Sequence, residues 1–97
     1  MRLEIREGAV EDLKRFEKRV QEQIRDEIKE LETNPLGENT SLLSKQGLEL
    51  FRLKLKTGEL DHRVFFDLDD DKVVVFGVEH RDDAYTQDSI QKIRSRT

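Results

Sequence analysis

Apolar residues in the first third of the chain recur at the period of an α-helix. They form one stripe made of Val10, Leu13, Phe16, Val20, Ile24, Ile28 and Leu31. This spacing of three or four predicts helix from Ala9 to Glu32 with a single apolar face. A break near Phe16 to Arg19 would make a hairpin of two helices, although the spacing also fits one long helix. Asn34 and Pro35 end the helix, because proline cannot continue it and disfavours helical backbone at the preceding residue.

Strand patterns lie on both sides of this helical region. The alternating residues Arg2 to Arg6 predict a short first strand, and Pro35 to Gln46 reads as a polar loop. Three more strands are then predicted at Leu48 to Lys56, Asp61 to Leu68 and Lys72 to Val78. Short turns join them, so they are expected to pair antiparallel, and the last is apolar on both faces and therefore expected to be central or covered on both. Thr86 is expected to cap a final helix that runs through Ser95.

The predicted order β-α-α-β-β-β-α indicates an α+β fold. The N-terminal strand and the helical hairpin are expected to pack on one face of an antiparallel sheet. A chain of 97 residues suits a single domain over residues 1–97. Hydrophobic residues make up 34% of the chain and charged residues 41%, so the core is expected to be thin and a partner that covers apolar surface would stabilise it.

The composition of the chain excludes several classes of function. The chain has no cysteine, which excludes disulfides and thiolate metal sites. No segment approaches the roughly 18 apolar residues of a membrane span, and the first residues lack an apolar signal segment, so we expect a cytoplasmic protein without membrane contact. The net charge of −4 argues against a general nucleic-acid binder, so any such site depends on local charge.

Cations alternate along one face of the second predicted strand. This cationic row consists of Arg52, Lys54 and Lys56. Neighbours in the row are about 7 Å apart, which suits consecutive phosphates of one nucleic-acid strand. Arg63 and Phe65 share a face of the next strand beside the row, where an aromatic ring on an open sheet would stack an unpaired base. The competing interpretation is a solvated strand face whose charges prevent edge-to-edge aggregation.

A second polar cluster directly follows the last predicted strand. His80 can accept or donate a proton, Arg81 can bind a phosphate through two N–H groups, and Tyr85 can stack or form hydrogen bonds. Each also has an ordinary structural interpretation at the rim of a sheet. The two histidines lack neighbouring carboxylates at metal-site spacing, and Asp69 to Asp71 reads as a solvated hairpin turn, so no metal site is predicted.

The order and spacing of these segments resemble the RelE/ParE toxins of bacterial and archaeal toxin–antitoxin pairs over nearly the whole chain. The matching positions are Asn34-Pro35-Leu36, Gly47, Phe51-Arg52-Leu53-Lys54, Gly58, Arg63-Val64-Phe65-Phe66, Val73-Val74-Val75, His80-Arg81 and Tyr85. The resemblance implies a small RelE-like domain that cuts messenger RNA in the ribosomal decoding site without metal or cofactor. The ribose 2′-hydroxyl would attack the adjacent phosphate, assisted by a base, an acid and stabilising cations.

The resemblance also assigns roles to individual residues. The implied catalytic residues are Lys54, Arg63, Arg81 and Tyr85, and the implied RNA-binding residues are Arg52, Lys56, Phe65 and His80. Within these sets Arg63 would stabilise the transition state, while Arg81 and Tyr85 would contact phosphate and stack a base or transfer a proton. Glu79 departs from the family, since some members have an arginine there and a carboxylate would oppose the scissile phosphate.

Three functions remain open at this stage. The first is the ribosome-dependent endonuclease, the second is inhibition of DNA gyrase on the same fold, and the third is an inactive relic that only binds its antitoxin. Each implies a cognate antitoxin, expected to be an extended, partly helical segment that folds on binding. We expect that segment to be mixed in charge, since it would meet both acidic helices and a basic sheet face.

Overall fold

The computed structural model describes all 97 residues, arranged as four helices and a five-stranded sheet. The elements are β1 (Arg2–Ile5), α1 (Glu7–Leu13), α2 (Lys18–Glu30), β2 (Thr40–Lys45), β3 (Leu48–Leu55), β4 (His62–Asp69), β5 (Lys72–His80), α3 (Arg81–Ala84) and α4 (Gln87–Arg96). The strands lie in the order β1-β5-β4-β3-β2. The predicted α+β class is confirmed, and β5 lies inside the sheet as its apolar sequence predicted.

The apolar stripe of the N-terminal region forms two helices and not one. A turn between Leu13 and Lys18 separates α1 from α2, so the hairpin alternative is correct. Both helices cover the same face of the sheet, where Ile24 and Ile28 are fully buried in one cluster with Val64 and other strand residues. This cluster is the larger of the two hydrophobic cores.

The predicted polar loop contains an additional strand. Residues 40–45 form β2, which pairs antiparallel with β3 and lies at the edge of the sheet. The alternation that marks a strand is missing here, because Leu42 and Leu43 are adjacent in a run of polar residues. Only Leu43 is buried, whereas Leu42 is 64% exposed. An edge strand with only one buried side chain lacks the alternating apolar pattern from which a strand is predicted.

The sheet is mixed, since β1 pairs parallel with β5 while the other pairs are antiparallel. β1 ends at Ile5, so the second half of β5 has no strand on that side. Helix α1 fills the place, and the backbone N–H of Val78 donates to the carboxylate of Asp12 at 2.9 Å. A buried helix carboxylate thus replaces the missing strand partner.

The second face of the sheet is covered as well, by α4. Ile90 and Ile93 of α4 are fully buried in a cluster with Phe65 and Phe76. Gly77 makes this packing possible, because a Cβ atom there would collide with Cδ1 of Ile93. As predicted, Thr86 caps α4, with its hydroxyl accepting from Ser89 N–H at 3.2 Å. None of the four helices has the length and apolar character needed to cross a membrane.

Candidate nucleic-acid interface

The face of the sheet that carries α4 has a covered half and an open half. Leu48 and Leu50 at the start of β3 are buried beneath α4. Farther along the same strand face come Arg52 and Lys54, with Lys56 one residue past the end of β3. The cationic row therefore begins where the cover of α4 ends.

The cationic row has no carboxylate partner anywhere in the chain. Arg52 donates through Nε to the hydroxyl of Ser41 at 2.9 Å, which fixes its guanidinium over the sheet. The ammonium groups of Lys54 and Lys56 make no hydrogen bond within the protein. Three uncompensated cations in a protein of net charge −4 form a local anion-binding surface.

Tyr85 is the half-buried aromatic residue beside this row. The Arg52 guanidinium lies 5.3 Å from its ring centroid and the Lys45 ammonium 5.8 Å from it, both at cation–π distance. Lys45 also donates to the Tyr85 carbonyl at 3.2 Å. The Tyr85 hydroxyl is buried and has no hydrogen-bond partner. A buried polar atom without a partner is unusual in a folded protein.

Phe65 does not form the open aromatic platform that the sequence predicted. Its side chain is fully buried, with its ring edge-on to Tyr85 at a centroid distance of 6.4 Å. The pairing prediction was correct, since Phe65 lies opposite Arg52 in the register. The exposure prediction was wrong because Tyr85 and α4 cover this part of the sheet. Phe65 therefore supports Tyr85 from below.

Asp61 connects the two arginines that the sequence analysis selected on different segments. Arg63 is 4% exposed and lies between Lys54 and Glu79 in the register. One carboxylate oxygen of Asp61 is 3.7 Å from Nη1 of Arg63, and the other is 3.4 Å from Nε of Arg81. The Nε of Arg63 is buried without a partner. Asp61 was not predicted from the sequence. It precedes β4 and Arg81 follows β5, so the antiparallel pairing of these two strands could have indicated that the two side chains lie close together.

His80 lies on the opposite face of the sheet from the cationic row. It pairs with His62 in the register, and the two rings meet edge-on at 5.2 Å, with Phe16 of the helical hairpin 4.7 Å beyond His62. Its Nδ1 accepts from the backbone N–H of Asp82 at 3.2 Å and so caps α3. Burial, and then the charge of His80, lower the pKa of His62 below its ordinary value. The structure therefore does not bring His80 together with the other predicted site residues.

Glu79 is on the same face as Arg63, but two cations compensate its charge. The residue is 2% exposed and its carboxylate pairs with Lys92 of α4 and, at 3.1 Å, with Arg15. Lys92 also approaches Asp12, which binds Arg96 at 2.8 Å. The carboxylate that seemed to oppose a phosphate is thus part of a buried ion network joining α1, β5 and α4. No three His, Asp or Glu side chains are arranged to hold a metal ion.

One protein family and several solved structures are similar to this chain. Residues 3–85 match the family described as ParE toxin of type II toxin–antitoxin system, parDE. The RelBE2 toxin–antitoxin complex of Mycobacterium tuberculosis contains a chain of similar structure, with a TM-score of 0.69, 22% identity, and coverage of 82% of this chain and 96% of that one. A free mutant of the E. coli toxin RelE has a TM-score of 0.69 and 19% identity over 98% of this chain and 95% of that one.

The isolated E. coli RelE toxin gives a similar result, with a TM-score of 0.63 and 21% identity over 95% of this chain and 97% of that one. At such identities these structures establish the shared fold. No match was found among curated protein sequences.

Proposed function

Because the chain belongs to the ParE toxin family of type II toxin–antitoxin systems, we propose that it is a toxin that cuts messenger RNA on the ribosome. The observation that carries this proposal is the cationic row without carboxylate partners, next to the cation-flanked ring of Tyr85. Consecutive cations bind successive phosphates, and an aromatic ring beside them binds an unpaired base. That combination fits a single RNA strand better than it fits a duplex or a protein surface.

The proposed reaction is a transfer within the RNA strand. The ribose 2′ oxygen loses its proton and bonds to the adjacent phosphorus, while the bond from phosphorus to the 5′ oxygen breaks and that oxygen gains a proton. Lys54 and Arg81 hold the phosphate, and the buried charge of Arg63 beneath them stabilises the extra negative charge of the transition state. Asp61 is the positioning residue that keeps the two arginines together.

Tyr85 has two roles in this proposal. Its ring stacks a base next to the scissile phosphate. Its hydroxyl, which is buried without a partner in the free protein, bonds to the RNA only when the side chain turns outward on binding. Arg52 and Lys56 bind the flanking phosphates. Phe65 supports the ring of Tyr85 and does not contact the RNA. His80 has no role in RNA binding.

We further propose a cognate antitoxin as protein partner. Leu36 and Leu42 are 57% and 64% exposed, and Leu42 lies on the edge strand β2, where a partner can bury it. The open cationic row supplies a site for acidic residues of the same partner. A partner segment of mixed charge with apolar anchors fits both surfaces.

The test is inducible expression of the free protein, with primer extension on a translated messenger RNA. The proposal expects cuts within codons that disappear when translation is blocked. Lys54→Ala should abolish these cuts, whereas Lys29→Ala, which removes the same charge from exposed α2, should leave them unchanged. If the Lys54→Ala protein cuts as well as wild type, the cationic row is not the active site.

Gyrase inhibition is the second candidate, and the ParE name of the matched family favours it. It predicts growth arrest and DNA-damage signalling with intact transcripts. The same expression experiment therefore separates the two functions, and an absence of both effects would leave an antitoxin-binding relic.

A further inference from the structure

A half-open pocket lies at the outer end of the cationic row. Its volume is about 280 Å³. Its lining contains no apolar residue and consists of Glu38, Asn39, Thr40, Ser41, Lys54 and Lys56. The volume lies just below the roughly 300–1,000 Å³ typical of pockets for drug-sized ligands, which suits a single nucleotide unit and not a longer segment.

Three backbone and side-chain contacts fix the walls of this pocket. The N–H of Lys54 donates to the carbonyl of Asn39 at 2.9 Å, and Ser41 accepts from Arg52 at 2.9 Å. Thr40 N–H donates to the carbonyl of Gly37 at 3.1 Å, which closes the turn that carries Glu38. The segment before β2 is therefore held against β3 and does not depend on a ligand for its position.

The charges in the pocket distinguish between ligands. Lys54 and Lys56 supply ammonium groups without partners, and these attract a phosphate. Glu38 is exposed and also has no ion-pair partner, so one carboxylate lines the pocket together with the two lysines. A simple anion would be repelled by Glu38. A nucleotide is not, because its phosphate faces the lysines while an amino group of its base donates to the carboxylate.

We infer that this pocket binds the nucleotide next to the scissile phosphate and that Glu38 selects its base. This inference rests on the proposed function, because Lys54 belongs to both the pocket and the cationic row. An ionised carboxylate is only an acceptor. It favours adenine, cytosine and guanine, whose exocyclic amino group lies open at the base edge, over uracil, whose one base donor, N3–H, lies between two carbonyl oxygens that the carboxylate repels. Asn39, Thr40 and Ser41 supply further hydrogen-bonding groups for the ribose and the base.

The test is a titration of the ¹⁵N-labelled full chain with RNA trinucleotides that differ only in the last base, observed through backbone amide shifts. Saturable shifts are expected at residues 39–41 and 54–56. The three amino-bearing bases should bind about tenfold more tightly than uracil, as one discriminating contact of roughly 1–3 kcal/mol requires. Inorganic phosphate should bind more weakly than any trinucleotide.

Matched variants separate the base contact from the phosphate contact. Glu38→Gln should remove the discrimination against uracil, because a carboxamide both donates and accepts. Glu22→Gln, an equal charge change on exposed α2, should preserve it, and Lys54→Met should weaken all trinucleotides alike. Shifts confined to other surfaces, equal affinity for phosphate alone, or a Glu38→Gln protein that still discriminates would each overturn the inference.

The titration is independent of the expression experiment. Codon cuts without binding in this pocket would reject the pocket and leave the proposed function intact. Selective binding in the pocket without any cuts would support the pocket as a nucleotide site and reject the nuclease.

Discussion

Replacing Asp12 by alanine should destabilise the protein by about 1.5–3.5 kcal/mol. Asp12 is 2% exposed, and Val78 N–H has no other partner, so its loss leaves a buried donor unsatisfied at a cost of about 1–3 kcal/mol. Arg96, Lys92 and Arg15 each lose one carboxylate partner too, but their side chains are 20%, 36% and 52% exposed and can rehydrate. We therefore assign them about 1 kcal/mol and not the roughly 3–5 kcal/mol of a fully buried pair. The higher helix propensity of alanine returns about 0.5 kcal/mol.

Urea denaturation followed by circular dichroism measures this change directly. For a domain of this size the loss corresponds to a fall of about 6–28 °C in Tm. The matched control is Asp71→Ala, which removes a carboxylate from the exposed ion pair with Arg2, 3.2 Å apart, and should cost less than about 0.5 kcal/mol. If the Asp12→Ala protein were as stable as that control, the ion network would not hold α1 and α4 to the sheet.

Two further predictions concern the two faces of the sheet. Because burial lowers the pKa of His62 below 6.5, the unfolded chain binds a proton more readily than the folded protein, and stability should fall as pH drops below about 6.5. His62→Phe should reduce this loss between pH 7.5 and 5.5 in urea midpoints, and an unchanged pH dependence would contradict it. Gly77→Ala should destabilise by about 1–3 kcal/mol through its clash with Ile93. Adding Ile93→Val should cost less than the two single changes together, and simple additivity would refute the clash.

The sequence predicted elements well where one physical signal dominated. The helical stripe, the central apolar strand β5 and the Thr86 cap each depend on a local pattern, and all three are confirmed. β2 was missed because an edge strand needs only one buried side chain, Leu43, to be fixed in place. The parallel pairing of β1 with β5 could not be predicted either, because the pairing of segments that are distant in the chain depends on how the whole domain packs.

In the candidate site, too, features set by the local sequence were predicted, and features set by distant segments were not. Alternation along β3 correctly put the cationic row on one face, because that geometry follows from the strand itself. The exposure of Phe65 and the face occupied by His80 depended on where α4 and the helical hairpin pack, which no local pattern fixes. Glu79 illustrates the consequence. Its charge looked unfavourable in the sequence, and it is compensated only by Arg15 from the turn after α1 and by Lys92 from α4.

Tyr85→Phe separates the contribution of the Tyr85 hydroxyl to function from its contribution to stability. The hydroxyl is buried without a partner, so removing it should leave the free energy of unfolding unchanged or raise it by up to about 1 kcal/mol. The ring and its contacts with Arg52 and Phe65 remain, so base stacking is preserved. If the hydroxyl bonds to RNA or transfers a proton, codon cutting should fall at least about tenfold at full stability. Unchanged cutting would limit Tyr85 to stacking, whereas a clear loss of stability would mean that the hydroxyl already has a partner, such as an ordered water, in the folded protein.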